Sequence, residues 1–187
     1  MARRGPVARP ADAELVARAV AGDRQAFEEL VRVEEGFMYA LAMGRLGDAH
    51  LARDAVQEAL LSAWKGIAGL RDARAFHSWL GRIVINAAVG LGQKKRGEEH
   101  APLEAAADAP AAGEAGDDAA AAERRRQLAA AVAELDEDKQ LVLAMHYSRG
   151  LGYAEIAGRL GITEDAVRGR LFQAREALRA RLKVGRP

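Results

Sequence analysis

Residues 152–168 read Gly152-Tyr153-Ala154-Glu155-Ile156-Ala157-Gly158-Arg159-Leu160-Gly161-Ile162-Thr163-Glu164-Asp165-Ala166-Val167-Arg168, and this stretch decides the fold. Ile156, Leu160 and Val167, with Ala157 between them, supply the small apolar core needed where two short helices cross. Gly161 stands where the first helix must end, because glycine enters the left-handed conformation of a helix C-terminus without steric cost. Thr163 is placed to accept an orphan N–H of the next helix. Glu164 and Asp165 follow in that helix's first turn, where the dipole favours acids. The spacing predicts a helix, a tight turn at Gly161-Ile162 and a second helix, which is a helix-turn-helix.

The residues beyond the turn are basic. Arg168, Arg170, Arg175, Arg179, Arg181 and Lys183 face only Glu164, Asp165 and Glu176, a local net charge of three positive (6 − 3). A basic second helix is the footprint of phosphate contact. The same pattern also suits an ordinary helical hairpin with a solvated arginine face.

Composition narrows the rest. A chain of 187 residues is one domain or two small ones. Half of it is apolar, yet only nine residues are aromatic, so alanine supplies much of the count and close-packed helices follow. The net charge is +1, so no global basic field drives binding and the local distribution matters. With no cysteine, disulfides and thiolate metal sites are excluded. No apolar run approaches the roughly 20 residues of a membrane span. The start carries Arg3, Arg4 and Arg9 with Pro6 and Pro10 but no apolar segment behind them, so it reads as a disordered basic tail over 1–11 rather than a secretory signal. These readings imply a soluble, cytoplasmic protein.

Residues 97–122 hold Glu98, Glu99, Glu104, Asp108, Glu114, Asp117 and Asp118 with no Lys or Arg, interrupted by Pro102, Pro110, Gly113 and Gly116. So little apolar bulk predicts a flexible acidic, alanine-rich linker. An acidic strand lying in a partner's basic groove is the sharper alternative. The linker separates two helical units, at 12–96 and 123–184, and no alternating β-branched run suggests a sheet, so the expected fold is all-α.

In the first unit, Phe27, Leu30, Val31, Met38 and Leu41 mark one helix. Gly47-Asp48 breaks the chain, and a second helix runs from about His50 to Trp64. A third runs from about Ala73 to Gln93, with Phe76, Leu80, Ile83, Val84, Ala87 and Leu91 on one side and Ser78, Arg82, Asn86 and Gln93 opposite. It ends in Lys94-Lys95-Arg96. The second unit has helices near Glu123–Leu135, Asp138–Tyr147, Tyr153–Leu160 and Glu164–Lys183. On the His50–Trp64 helix, Asp54, Gln57 and Glu58 share a face with Leu61, while Val56, Leu60 and Trp64 point inward. An acidic patch beside a leucine suits a basic partner helix, and equally a solvated face.

The order of these parts resembles a known family. Asp54-Ala55-Val56-Gln57-Glu58, followed by Leu61, Ala63 and Trp64, resembles the signature of sigma factor region 2, as does Ala75-Phe76-His77-Ser78-Trp79-Leu80-Gly81-Arg82-Ile83-Val84-Ile85-Asn86. The helix-turn-helix with Arg168-Gly169-Arg170-Leu171-Phe172-Gln173-Ala174-Arg175 resembles region 4. With only these two regions, the chain is similar to the extracytoplasmic-function group of the sigma-70 family.

That resemblance implies a factor that binds the RNA polymerase core, directs it to a promoter and helps open the DNA. It implies that Asp48, Asp54, Gln57, Glu58 and Leu61 dock on polymerase. It implies that the Ile67–Ala75 loop, with Leu70 and Arg71, and Asn86 match the positions that capture an unstacked base of the minus-ten element, that Trp79 also meets that element, and that Arg82, Lys94, Lys95 and Arg96 hold the backbone. Extruding that base costs a few kcal/mol, which pocket contacts must offset. Thr163, Arg168, Gly169, Arg170, Phe172, Gln173 and Arg175 would face the minus-thirty-five element, where an arginine on guanine is worth roughly 1–3 kcal/mol of discrimination. An anti-sigma protein is an implied partner. No cofactor, metal or catalytic residue is implied.

The sequence departs from the family at several points. Leu70 replaces a frequent aromatic, which weakens stacking on a base. Gly169 replaces a common serine at roughly 1 kcal/mol of helix propensity. Gln173 replaces a frequent arginine, and Leu51 and Arg53 thin the acidic face. Gly90 and Gly92 loosen a helix that is usually charged.

Three rivals explain less. The four histidines, His50, His77, His100 and His146, have no metal-ligand spacing, and His77 and His146 read as helix-surface or boundary residues. No serine elbow or glycine-rich phosphate loop is present, which leaves catalysis without residues. A stand-alone helix-turn-helix regulator leaves the Asp54–Glu58 face and the Trp64–Asn86 segment unused. A mimic that titrates sigma regulators would bind those regulators without polymerase.

Overall fold

The computed structural model describes residues 10–99 and 119–182, and every regular element among them is helical. In order these are α1 (Pro10–Val20), α2 (Arg24–Leu46), α3 (Ala49–Gly66), α4 (Phe76–Glu99), α5 (Ala119–Ala133), α6 (Glu137–Arg149), α7 (Tyr153–Leu160) and α8 (Glu164–Leu182). Two short 3-10 turns, Ile67–Gly69 and Ala73–Ala75, join α3 to α4. Both ends of the expected 97–122 linker are helical, 97–99 closing α4 and 119–122 opening α5, while the expected tail over 1–9, residues 100–118 and Lys183 lie outside the described residues.

Aspartates and glycines set the helix boundaries. Asp23 accepts from the N–H of Ala26 at 3.1 Å and opens α2. Gly47, at φ +65°, closes α2 in the left-handed conformation and turns the chain into Asp48. Asp48 in turn accepts from the N–H groups of His50 and Leu51 at 2.9 and 3.1 Å and opens α3. Such a cap replaces the missing partner of an orphan donor and is worth about 1 kcal/mol. Asp136 opens α6 through the N–H of Lys139 at 2.9 Å, and Gly150 closes it.

Helices α1 to α4 pack around Phe37, Met38, Leu80 and Ile85, all essentially without exposure. Alanines at 52, 55, 59 and 63 form the buried seam of α3 and let its backbone approach α2 and α4 closely. Helices α6 to α8 pack around Leu141, Met145, Ile156, Val167 and Leu171. These two sets of side chains belong to one continuous core cluster, because α2 and α4 also touch α5, α6 and α7. Burying a single leucine or phenylalanine of this kind contributes about 1.5–3 kcal/mol.

Several expectations change in detail. α1 starts at Pro10, inside the segment read as tail, and no helix was expected there. Val16 and Ala19 of α1 are buried, a spacing short enough to pass unnoticed in an alanine-rich stretch. α4 buries Ile85 and Ala88 as well as the expected Phe76, Leu80 and Val84, because it is covered from two sides. Trp64 is not fully inward: its ring packs on Phe27 at 5.2 Å while 38% of it stays exposed.

Candidate nucleic-acid interface

The α3 surface divides by period. Ala52, Ala55, Val56, Ala59 and Ala63 lie in the core, and Asp54, Gln57, Glu58 and Leu61 all face solvent. Leu61 is 63% exposed, a large apolar side chain held open beside two carboxylates. Asp48 lies apart from them in character. Its carboxylate caps α3 and also accepts from Lys95 Nζ at 2.9 Å. Burial pushes the Asp48 carboxyl up, but the Lys95 hydrogen bond and the capping N–H groups outweigh it and hold the group below the ordinary range. One expected docking acid is thus paired with one expected DNA cation.

The α3–α4 connection and α4 carry the next set. Leu70 is half-buried against the core, and Trp79 lies beside Phe76 with ring centroids 6.1 Å apart. Arg71, Asn86, Lys94, Lys95 and Arg96 are exposed. Asp72 accepts from the N–H of Arg74 at 2.9 Å and caps the second 3-10 turn, directly after the exposed Arg71.

In the helix-turn-helix, Gly161 closes α7 at φ +65°, and the Thr163 hydroxyl accepts from the N–H of Ala166 at 3.2 Å. The Glu155 carboxylate reaches back to the N–H of Gly152 at 2.9 Å and opens α7. Val167, Leu171 and Ala174 bury the inner face of α8. Arg168, Phe172 and Gln173 therefore stand on its outer face, with Phe172 60% exposed. Arg168 pairs with Asp165 at 2.6 Å. Arg175 donates to the Tyr147 hydroxyl at 2.9 Å and lies over that ring, 5.6 Å from its centre. Nothing lies within 4 Å of a Cβ added at Gly169.

Two of the expected DNA cations from different units meet at one carboxylate. Asp138, in the first turn of α6, lies 3.6 Å from Arg82 of α4 and 2.7 Å from Arg170 of α8. Glu137 lies 3.7 Å from Arg82. Gln173 lines the same cleft.

A second ionic cluster was not legible in the sequence. Glu34, His77 and Arg159 are all buried, and Arg149 joins them. His77 is therefore an interior residue rather than a helix-surface one. Burial by itself would raise the Glu34 carboxyl, but the hydrogen bond and charge of His77, then those of Arg149, hold it below the ordinary range. Among the described residues no group of histidines and acids could hold a metal ion, and no helix is long and apolar enough to cross a membrane.

Comparison with known proteins gives these surfaces a context. A family model described as sigma-70 region 2 matches residues 30–96, and one described as sigma-70, region 4 matches residues 125–178. The chain is 35% identical over 167 residues to the ECF RNA polymerase sigma factor SigM of Mycobacterium tuberculosis, covering 89% of this chain and 82% of that one. It is 29% identical to the ECF RNA polymerase sigma factor SigW of Bacillus subtilis, covering 87% and 91%. Its fold is similar to that of CnrH, solved in complex with the cytosolic domain of CnrY, with a TM-score of 0.56 at 24% identity over 94% of this chain and 99% of that one.

Proposed function

Since the chain belongs to the sigma-70 family of RNA polymerase sigma factors, in its extracytoplasmic-function group, we propose that its two helical units divide the work of promoter-directed initiation between them. Residues 12–96 dock on the polymerase core and open the minus-ten element. Residues 123–184 read the minus-thirty-five element, and the segment between α4 and α5 tethers the two. The chain acts as an initiation subunit in the cytoplasm and carries no catalytic group of its own.

The observation that carries this reading is the α3 surface. Asp54, Gln57, Glu58 and Leu61 stand exposed on a helix whose other side is locked into the core, so their geometry is set before any partner arrives. A basic helix of the polymerase would meet the two acids by charge and Leu61 by apolar contact. Asp48 takes part once Lys95 turns to DNA. On the DNA side, Arg82, Asn86, Lys94, Lys95 and Arg96 follow the melted strand, with Leu70, Arg71 and Trp79 around the extruded base. Thr163, Arg168, Gly169, Arg170, Phe172, Gln173 and Arg175 lie against the major groove of the upstream duplex. Arginine suits both phosphate and guanine there, because its planar fork matches either pair of acceptors. An anti-sigma protein restrains the chain until its signal arrives, a reading supported by family membership.

Multi-round transcription with bacterial core polymerase and a library of promoter fragments tests this. New sequence-specific transcripts should appear with the chain and vanish when Asp54→Lys and Glu58→Lys are combined. Transcripts that survive that double change would remove the docking assignment. Duplex binding without any transcript would leave a stand-alone DNA-binding regulator.

A further inference from the structure

Helices α2, α5, α6 and α8 surround a cavity of about 670 Å3 that is partly open to solvent. Leu128 and Val132 of α5, Leu143 of α6, and Leu178 and Leu182 of α8 form its apolar wall. Gly44 of α2 and Ala144 of α6 also line it, and their small size leaves the space. Even a Cβ added at Gly44 would stand 4.0 Å from its nearest neighbour, Val132 Cγ1. A volume of this size falls within the range of small-ligand sites, roughly 300–1,000 Å3.

Two polar groups distinguish this wall. Gln140 of α6 is 3% exposed and donates from Nε2 to the Leu135 carbonyl at 2.7 Å. That bond fixes the amide, because the opposite orientation would set two oxygens against each other. Its Oε1 has no hydrogen-bond partner among the described residues. A buried acceptor in that state costs free energy that a donor restores. The second group is Arg179 of α8. Arg175 donates to the Tyr147 hydroxyl at 2.9 Å, and Arg181 pairs with Glu134 at 2.5 Å, so α8 runs back along α6. That direction carries Arg179 toward the level of Gln140. Its partner Glu176, at 2.8 Å, belongs to the same helix, and the pair is half-exposed, so it holds the guanidinium weakly.

We propose that this cavity binds a single-chain acyl amphiphile that carries an N–H donor beside an anionic head, as an N-acyl amino acid does. The acyl chain lies along the leucines, the amide N–H donates to Gln140 Oε1, and the carboxylate meets Arg179. Three requirements select this class. The wall takes methylenes, and burying them supplies most of the affinity. Gln140 Oε1 can only accept, so the ligand must bring a donor. Arg179 calls for an anion close to that donor, and a charge-assisted hydrogen bond there is the stronger kind. A plain fatty-acid carboxylate has no donor to offer. A partner helix fits less well, because its interior N–H groups are already spent on its own carbonyls. A bilayer cannot enter a space of this size, so the ligand arrives as a free monomer. Gln140, Arg179 and the leucines are assigned to neither the promoter nor the polymerase, so the site stands apart from the proposed function.

Calorimetric titration of the full chain with N-dodecanoylglycine, below the concentration at which it forms micelles, tests this. The expected result is one saturable site per chain. N-dodecanoylsarcosine, whose N-methyl group removes the donor, should bind roughly tenfold more weakly. The methyl ester of N-dodecanoylglycine, which removes the charge, should also bind roughly tenfold more weakly. Arg179→Ala should weaken the acid by about the same factor and leave the ester unchanged, whereas a merely structural loss would weaken both. Ala144→Phe fills the cavity and should abolish binding. Gly44→Leu does the same from α2 and serves if circular dichroism shows that Ala144→Phe unfolds. No saturable binding, or equal binding to the parent and the filled chain, overturns the cavity as a site. Equal affinity for the glycine and sarcosine compounds overturns the Gln140 contact and with it the ligand class. Equal affinity for acid and ester overturns the role of Arg179.

Discussion

Arg149, near the end of α6, donates to the buried carboxylate of Glu34 on α2 across 115 residues of chain. The relationship joins a helix of the first unit to a helix of the second. Its removal leaves a buried acid short of a partner, whereas a hydrogen bond to a charged group is worth about 1.5–3 kcal/mol. Arg149→Ala should therefore lower the stability read from a urea midpoint by about that much. Arg149→Lys should recover only part of it, since one ammonium cannot serve Glu34, the Val33 carbonyl and the Phe37 ring together. Equal midpoints for Arg149→Ala and the parent chain would show the pair to be without net worth.

The same carboxylate predicts a pH dependence. The folded-state value of Glu34 lies below its ordinary one. A group depressed in this way gives its full stabilisation above the unfolded value, about 4.3 for glutamate. It loses that stabilisation as pH falls through the folded value. Stability should decline as pH drops below the ordinary carboxylate range. Asp48 and Asp136 are also held low, so they add to the decline. The difference between the parent and Glu34→Gln isolates the Glu34 share, and parallel curves would deny it one.

Gly81 predicts a packing effect. Its place between Leu141, Leu41 and Phe37 leaves no room for a methyl group. Gly81→Ala should destabilise the chain by about 1–3 kcal/mol, the range for overpacked interiors. Combined with Leu141→Val, which withdraws the opposing atoms, it should cost less than the two single changes added together. Thermal unfolding of the four proteins in the cycle reads this directly. Strict additivity would mean that α4 and α6 do not meet as described.

Gly169 predicts the opposite sign. It lies inside α8 with open space around a built Cβ, so nothing opposes a side chain there. Gly169→Ala should raise stability by about 0.5–1 kcal/mol through helix propensity alone. If the backbone at that point comes close to DNA, the same change should weaken binding to promoter duplex. Gel-shift titration beside the thermal melt separates the two effects.

Most of the secondary structure was legible because its causes are local. Apolar period, Asp48, Gly47, Gly161 and Thr163 act on neighbours within a few residues, and the α3, α6, α7 and α8 boundaries fall within a few residues of where those signals put them. α1 is not legible in the sequence because Leu15, Val16, Ala19 and Val20 form a short apolar stripe next to a proline-containing, basic start. The sequence reads His77 as a helix-surface or boundary residue because a polar residue on an apolar helix looks like a boundary. Its burial depends on α6 and α7, more than 60 residues away, covering α4.

The sequence by itself determined the all-α character, the helix-turn-helix and the membership of the sigma-70 family. The first two follow from propensity and capping, which are short-range properties, and the third from the resemblance of its motifs to those of that family. Only the tertiary structure decided that Glu34 meets Arg149 and Arg159, and that Arg82 and Arg170 share Asp138. A charge on a helix shows its own face but not which distant face will cover it. That choice is made when the helices pack and each buried charge must find a partner or remain in water.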